Sequence, residues 1–161
     1  MPGGTVVEFD HLVGVITDGF VGAVGGLVGT TVMTLVFLVA AQIGAFNLDS
    51  FATLADLTGT RSLVSVNPTA VGYALFLFIG MVPWPLFFAS IGWYLPGDRF
   101  ATKGLPFGFI LWTGFAIAYY DGYTGTSLVL YLLLTLLGHF AYGFALGAVF
   151  DYLSERPETL V

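Results

Sequence analysis

An all-α membrane fold, a bundle of four transmembrane helices, is what this sequence predicts, and three observations predict it. Hydrophobic residues make up 57% of the 161 residues and charged residues 9%, against about 25% charged in an ordinary water-soluble domain. The four basic and ten acidic residues fall in short clusters that leave four uncharged windows, 19–48, 62–97, 104–120 and 122–150. Within those windows the apolar character is continuous, which excludes a transmembrane β-barrel, whose strands alternate over about ten residues. A hydrocarbon core about 30 Å thick takes roughly 20 helical residues to cross, so the helices are placed at 15–43, 69–95, 104–120 and 126–153.

The first helix follows a leader that carries Glu8 and Asp10 where a secretory signal would have basic residues, so no cleaved signal is expected. Between spans one and two, Asp49 and Ser50 are placed to cap a short helix over 50–58. Its Phe51, Leu54 and Ala55 share one face, and Gly59 ends it. This segment is expected at the outer interface, with the apolar face against lipid or the span ends, or else as an ordered loop on the bundle. Span two opens with Asn67-Pro68, a cap residue before a proline at the first helical position, and closes at Leu95-Pro96-Gly97-Asp98, a turn sequence. Pro83 and Pro85 inside it each remove a backbone donor, so this helix should kink near its middle, either to fit a curved neighbour or to open a cavity. Span three is short, with Lys103 able to snorkel at one end and Asp121 at the other. Tyr119, Tyr120 and Tyr123 near Asp121, and Trp93 with Tyr94 at the opposite interface, read as aromatic belts.

Four spans put both termini on one side. That side holds Arg99, Lys103 and Arg156 and the other Arg61, so both termini are expected in the cytoplasm of a multi-pass cell-membrane protein. An offset of 58 residues sets Val71, Tyr73, Leu75, Gly80, Tyr94 and Leu95 opposite Val129, Tyr131, Leu133, Gly138, Tyr152 and Leu153. The match suggests a parallel duplication of a helical hairpin.

Lipid tails are as apolar as Leu, so helices in a bilayer associate through close packing and interhelical hydrogen bonds. Gly22, Gly25, Gly26 and Gly29 form a small-residue stripe on span one, with Asp18 one turn before it. Span three offers Gly104/Gly108 and Gly114/Ala118, and span four Gly143/Gly147 and Ala141/Ala145. A tightly packed bundle follows, in which these glycines are helix-packing positions.

His139 lies near the middle of span four, where a polar side chain is costly. Thr135 and Tyr142 share its face at minus four and plus three, so the ring looks into protein with a hydroxyl on each side. Three roles are open to it: a neutral interhelical hydrogen bond, a proton relay or ligand contact, and a haem or metal ligand. For Asp18 an interfacial carboxylate that caps or hydrogen-bonds a neighbour is the plain alternative to a relay.

Chemistry of its own is not in view. The absence of cysteine removes disulfides, thiolate metal sites and cysteine nucleophiles. Two histidines, His11 and His139, cannot build a metal cage. A formal charge of -6 with a single lysine argues against nucleic acid as a partner and suits a halophile. No phosphate-binding loop, dinucleotide fingerprint, zincin or nucleophile-elbow motif occurs, so no catalytic residue, metal or cofactor is assigned to this chain.

The stretches Gly-Leu-Val-Gly-Thr-Thr-Val-Met-Thr at 26–34, Asn67-Pro68, Leu95-Pro96-Gly97, Lys103-Gly104-Leu105 and Gly138-His139-Phe140-Ala141-Tyr142-Gly143 together carry a resemblance over about residues 18–153. The chain resembles a family of small four-span prokaryotic membrane proteins, frequent in haloarchaea, that has no assigned activity. Members of that kind are sometimes encoded beside haem-copper oxidase subunits. The resemblance therefore implies a non-catalytic accessory subunit of a respiratory membrane complex, with haem and copper held by a partner subunit. A small transporter or channel working through His139 is the alternative.

Overall fold

The computed structural model describes residues 4–63 and 65–154, with side chains from Gly19 to Leu153, Val64 excepted. Six helices follow in order: α1 Gly4–Gln42, α2 Ala52–Leu57, α3 Pro68–Met81, α4 Pro83–Ile91, α5 Phe100–Ala118 and α6 Gly125–Ser154. Four stretches are long and apolar enough to cross a bilayer: Gly19–Gln42, Pro68–Tyr94, Phe100–Ala118 and Gly125–Leu153. The fold is an all-α membrane bundle. The second crossing is made jointly by α3 and α4.

The contacts that assemble the bundle are backbone contacts at glycine. A Cβ added to Gly104 would strike the carbonyl of Gly143, and one added to Gly143 would strike that of Gly104. Gly108 likewise faces the carbonyl of His139, and Gly147 that of Phe100. These four residues fuse α5 to α6. On the other side of α6, Gly25 lies under Leu146 and Gly29 under Tyr142, while Gly22 and Gly26 receive Pro85. α1 thus binds α6 along one flank and α4 along the other. All eight of these glycines are buried inside the chain's own helix–helix contacts. Dispersion at such short range is the attraction available where no hydrophobic effect acts between helices.

α3 packs on α1 and is roofed by α2. The connector at that end forms a 3-10 turn, Leu48–Phe51, that runs directly into α2. Its cap is not Asp49 or Ser50 but Asn47, whose side chain accepts from the Asp49 N–H at 3.0 Å. Asn47 also donates through Nδ2 to Asp121 at 2.8 Å, tying the first connector to the turn before α6. Phe51 and Ala55 are buried, and the Phe51 carbonyl sits against Gly72 of α3. The segment is therefore a helix packed on the span ends. Gly59 ends it in the left-handed region at φ 69°.

One boundary and one set of belt residues differ from the sequence reading. The third crossing starts at Phe100, not 104, because the Asp151 carboxylate accepts from the Phe100 and Ala101 N–H groups, both at 2.9 Å. A carboxylate at a helix N-terminus satisfies orphan donors and faces the positive end of the dipole. Of the tyrosines assigned to an outer belt, Tyr120 is exposed, but Tyr119 is buried and stacks on Phe115 at 4.2 Å. Tyr123 stacks on Tyr131 at 4.6 Å and its hydroxyl accepts from the Asn47 N–H at 2.7 Å. Trp93 and Tyr94 are exposed at the other end.

The two hairpins are unequal. α6 is continuous and touches both α1 and α5, whereas its counterpart at an offset of 58 breaks at Val82 and leaves its α5 side open. The core fills with aromatic rings centred on Phe37. It contacts Phe46 at 4.9 Å, Phe115 at 5.1 Å, His139 at 6.0 Å and Phe76 at 6.2 Å between centroids.

A methyl group at position 143 must separate two backbones, since no flexible side chain is there to yield. Gly143→Ala should cost about 1–3 kcal/mol in a reversible detergent-unfolding measurement. Gly19→Ala, where an added Cβ meets nothing within 4 Å, should be neutral or slightly stabilising.

Candidate functional site

The break in the second crossing is the first component of the site. Pro83 and Pro85 remove the donors that the carbonyls of Ile79 and Met81 would receive in a continuous helix. Val82 leaves the helical region at φ −120°, ψ −70°, and a new helix starts with Pro83 in its first turn. The Gly80 carbonyl, between the two deprived positions, accepts from the Tyr142 hydroxyl at 2.8 Å. Pro85 is buried against Gly22 and Gly26 of α1, so the break fits a neighbour. It also borders a cavity.

That cavity, about 390 Å³, lies between α3/α4 and α5, with α1 and α6 as its floor. The flanking helices meet through rings near both ends. Phe88 and Phe87 reach Phe107 at 5.0 and 6.0 Å, and Phe76 reaches Phe115 and Tyr119 at 6.2 and 6.5 Å. Between these bridges the groove opens past Trp84, Phe87 and Ile110, all partly exposed. Gly114 and Ala118, read from the sequence as a packing pair, line this groove instead. A Cβ at Gly114 would meet nothing within 4 Å.

His139 lines the groove and is 3% exposed. Its ring lies 4.7 Å from Phe115 between centroids. The two flanking hydroxyls expected from the sequence do not hold it. Nδ1 pairs with the Thr135 carbonyl at 2.8 Å, while the Thr135 hydroxyl donates to the Tyr131 carbonyl at 2.6 Å. Threonine in a helix readily bonds the carbonyl four residues back, which turns its oxygen away from the ring. The Thr135 oxygen accepts instead from the Trp112 indole at 3.0 Å. Tyr142 is likewise committed, to Gly80.

The remaining buried polar groups are structural. The Tyr131 hydroxyl donates to the Ala116 carbonyl at 3.1 Å, and Thr34 and Tyr73 share a hydrogen bond at 3.2 Å across α1 and α3. Thr30 is fully buried with its hydroxyl unpartnered among the described residues and packed against Gly80. Asp18 lies on α1, but its side chain is outside the described residues. No group of three His, Cys, Asp or Glu capable of holding a metal occurs among the described residues. At the Asn47 end a smaller cleft of about 250 Å³ is lined by Asn47, Asp49, Ser50 and Asp121. Burial pushes the neighbouring Tyr119 phenol up to about 12. Burial raises Tyr123 most; the Asn47 N–H that its hydroxyl accepts works against this, and the nearby Asp121 carboxylate adds a smaller upward push.

Asp151, Asn47, Trp112 and Thr30 went unnoticed in the sequence. The partners of Asp151, Asn47 and Trp112 lie on other parts of the chain at separations no local pattern encodes, and Thr30 is set apart by the close approach of Gly80. Gly80 stood out in the sequence as the match to Gly138 at the offset of 58 and as a glycine three residues before Pro83.

A model of a family of unknown function, DUF6789, matches residues 16–161, and the chain belongs to that family. No curated protein and no solved structure matches it.

Two substitutions separate the satisfied hydroxyl from the orphaned one. Tyr142→Phe strips the Gly80 carbonyl of its donor and should destabilise by about 0.6–1.7 kcal/mol, the range for interhelical hydrogen bonds in membranes. Thr30→Val keeps the shape and removes an unpaired polar atom, so it should be neutral or stabilising by up to about 1 kcal/mol. Paired unfolding curves in one detergent check both signs.

Proposed function

We propose that this chain is a non-catalytic membrane subunit, which acts by lateral association with a larger membrane complex. The observation that carries this reading is how the polar groups at membrane depth are used. Trp112 with Thr135, Tyr131 with Ala116, Tyr142 with Gly80 and Thr34 with Tyr73 all bridge helices of the same chain. Interhelical hydrogen bonds of this kind hold shape. A catalytic site would instead bring a nucleophile, a base and an oxyanion donor to one point. The exterior is correspondingly inert. Leu35, Val39, Phe78, Ile117, Leu133 and Leu137 are each more than half exposed, an apolar belt suited to lipid and to the flanks of other membrane helices.

Because the small-residue seams are occupied within the chain, a partner would meet this apolar belt, not a glycine stripe. The sequence resemblance supports a respiratory complex, with a haem-copper oxidase as the partner and haem and copper held there. The second reading, a small transporter or channel, is favoured by one observation, the groove that reaches His139 beside a broken helix. Flux in liposomes that disappears in His139→Ala would carry it.

Affinity-tagged chain drawn from its own membranes in a mild detergent should migrate with larger subunits, and the eluate should show haem absorption. A solitary, monodisperse chain without pigment would refute the association.

A further inference from the structure

His139 carries a feature that the bundle does not use. A carbonyl can only accept, so the 2.8 Å contact with Thr135 puts the proton of the ring on Nδ1. Charge at this depth is costly and no carboxylate among the described residues pairs with the ring, so the imidazole is neutral and Nε2 is a bare lone pair. Nε2 has no hydrogen-bond partner among the described residues. It is also not one of the polar atoms that are both unpartnered and completely closed off, which among the described residues are Thr30 Oγ1 and Ser50 Oγ. The ring is otherwise buried and lines the groove, so the groove gives Nε2 its access.

We propose that the groove between α3/α4 and α5 is a binding site for a lipid-soluble, ring-headed molecule with a hydroxyl donor, of the phenol class, whose hydroxyl donates to His139 Nε2. This inference goes beyond the subunit reading and does not depend on it. The lone pair calls for a donor. Thr113 and Tyr142, on the same groove, cannot answer, because their protons lie on the carbonyls of Ile110 and Gly80. A lone water is a poor occupant of an apolar groove, since a buried water needs two to four polar partners. A bare metal ion fails for want of further ligands among the described residues. The ring specification comes from the walls. Phe76, Trp84, Phe87 and Phe115 present faces and edges around a space of about 390 Å³, and aromatic pairs favour offset and edge-to-face contacts with a ring between them. Entry is from the lipid, past the partly exposed Trp84, Phe87 and Ile110.

The test uses full-length chain with ¹⁵N-labelled histidine in phosphatidylcholine nanodiscs, titrated with 4-nonylphenol and with its methyl ether, 4-nonylanisole. The two probes share ring and chain and differ in the donor. The phenol should bind about three- to tenfold tighter at equal membrane mole fraction, the effect of one net hydrogen bond, and should shift the His139 Nε2 resonance. The ether should leave that resonance in place. Gly114→Leu should abolish binding of both probes at an unchanged unfolding midpoint, because its side chain enters open space in the groove. Equal affinities with no Nε2 shift would overturn the proposal, as would undiminished phenol binding by a folded Gly114→Leu. An iron-porphyrin absorption band in protein from its own membranes, lost in His139→Phe, would also overturn it by making Nε2 an iron ligand.

Discussion

Lipid offers a backbone nothing to bond with, so every carbonyl and amide at membrane depth must find its partner inside the protein. The rest of this structure depends on how that demand is met at one place, the Val82 break. Two prolines leave Ile79 and Met81 of α3 without their helical donors, and between those two positions α6 sets the Tyr142 hydroxyl on the Gly80 carbonyl. That bond fixes the rotation of α6 about its own axis. In this rotation Gly143 and Gly147 face α5 while Leu146 faces Gly25 of α1. His139, one turn before Gly143, is thereby presented to the groove.

The glycine contacts set the distances, and the distances set the shape. α5 lies so close to α6 that the carbonyls of Gly104 and Gly143 stand where side chains would otherwise be. α4 is held to α1 through Pro85. The two outer walls are therefore each anchored to the central pair but not drawn to one another, and the rings of Phe76, Phe87, Phe88, Phe107 and Phe115 bridge part of the gap. A cleft remains where no ring reaches. It is a by-product of two tight seams that do not close on each other, and in it His139 Nε2 is an acceptor without a partner among the described residues.

Much of the architecture was legible because membrane helices announce themselves by uncharged length. The Asn47–Asp121 and Asp151–Phe100 ties were not, because each joins residues more than fifty positions apart. Small residues misled at Gly114 and Ala118. Spacing by four marks a face that can be approached closely, but whether a helix comes there depends on where the neighbouring walls are pinned. At His139 the sequence located the buried polar group and the side it faces. It could not tell that Thr135 would engage its own helix, and this detail decides which ring nitrogen is free. Composition shows that the chain has no cysteine, and which polar groups meet is decided by tertiary contact.

The clasp of Asp151 on the first turn of α5 has a bearing on how the chain is made. Its two acceptor oxygens sit 50 and 51 residues downstream of the amides they receive. As the polypeptide emerges from N- to C-terminus, the opening of the third helix waits with bare amides until nearly all of α6 has been synthesised. Closure of the clasp thus reports arrival of the final crossing, and it coincides with the moment when Gly143 and Gly147 come into register. Order of manufacture and order of locking run in opposite directions along α5: its far end can settle early, and its beginning is sealed last.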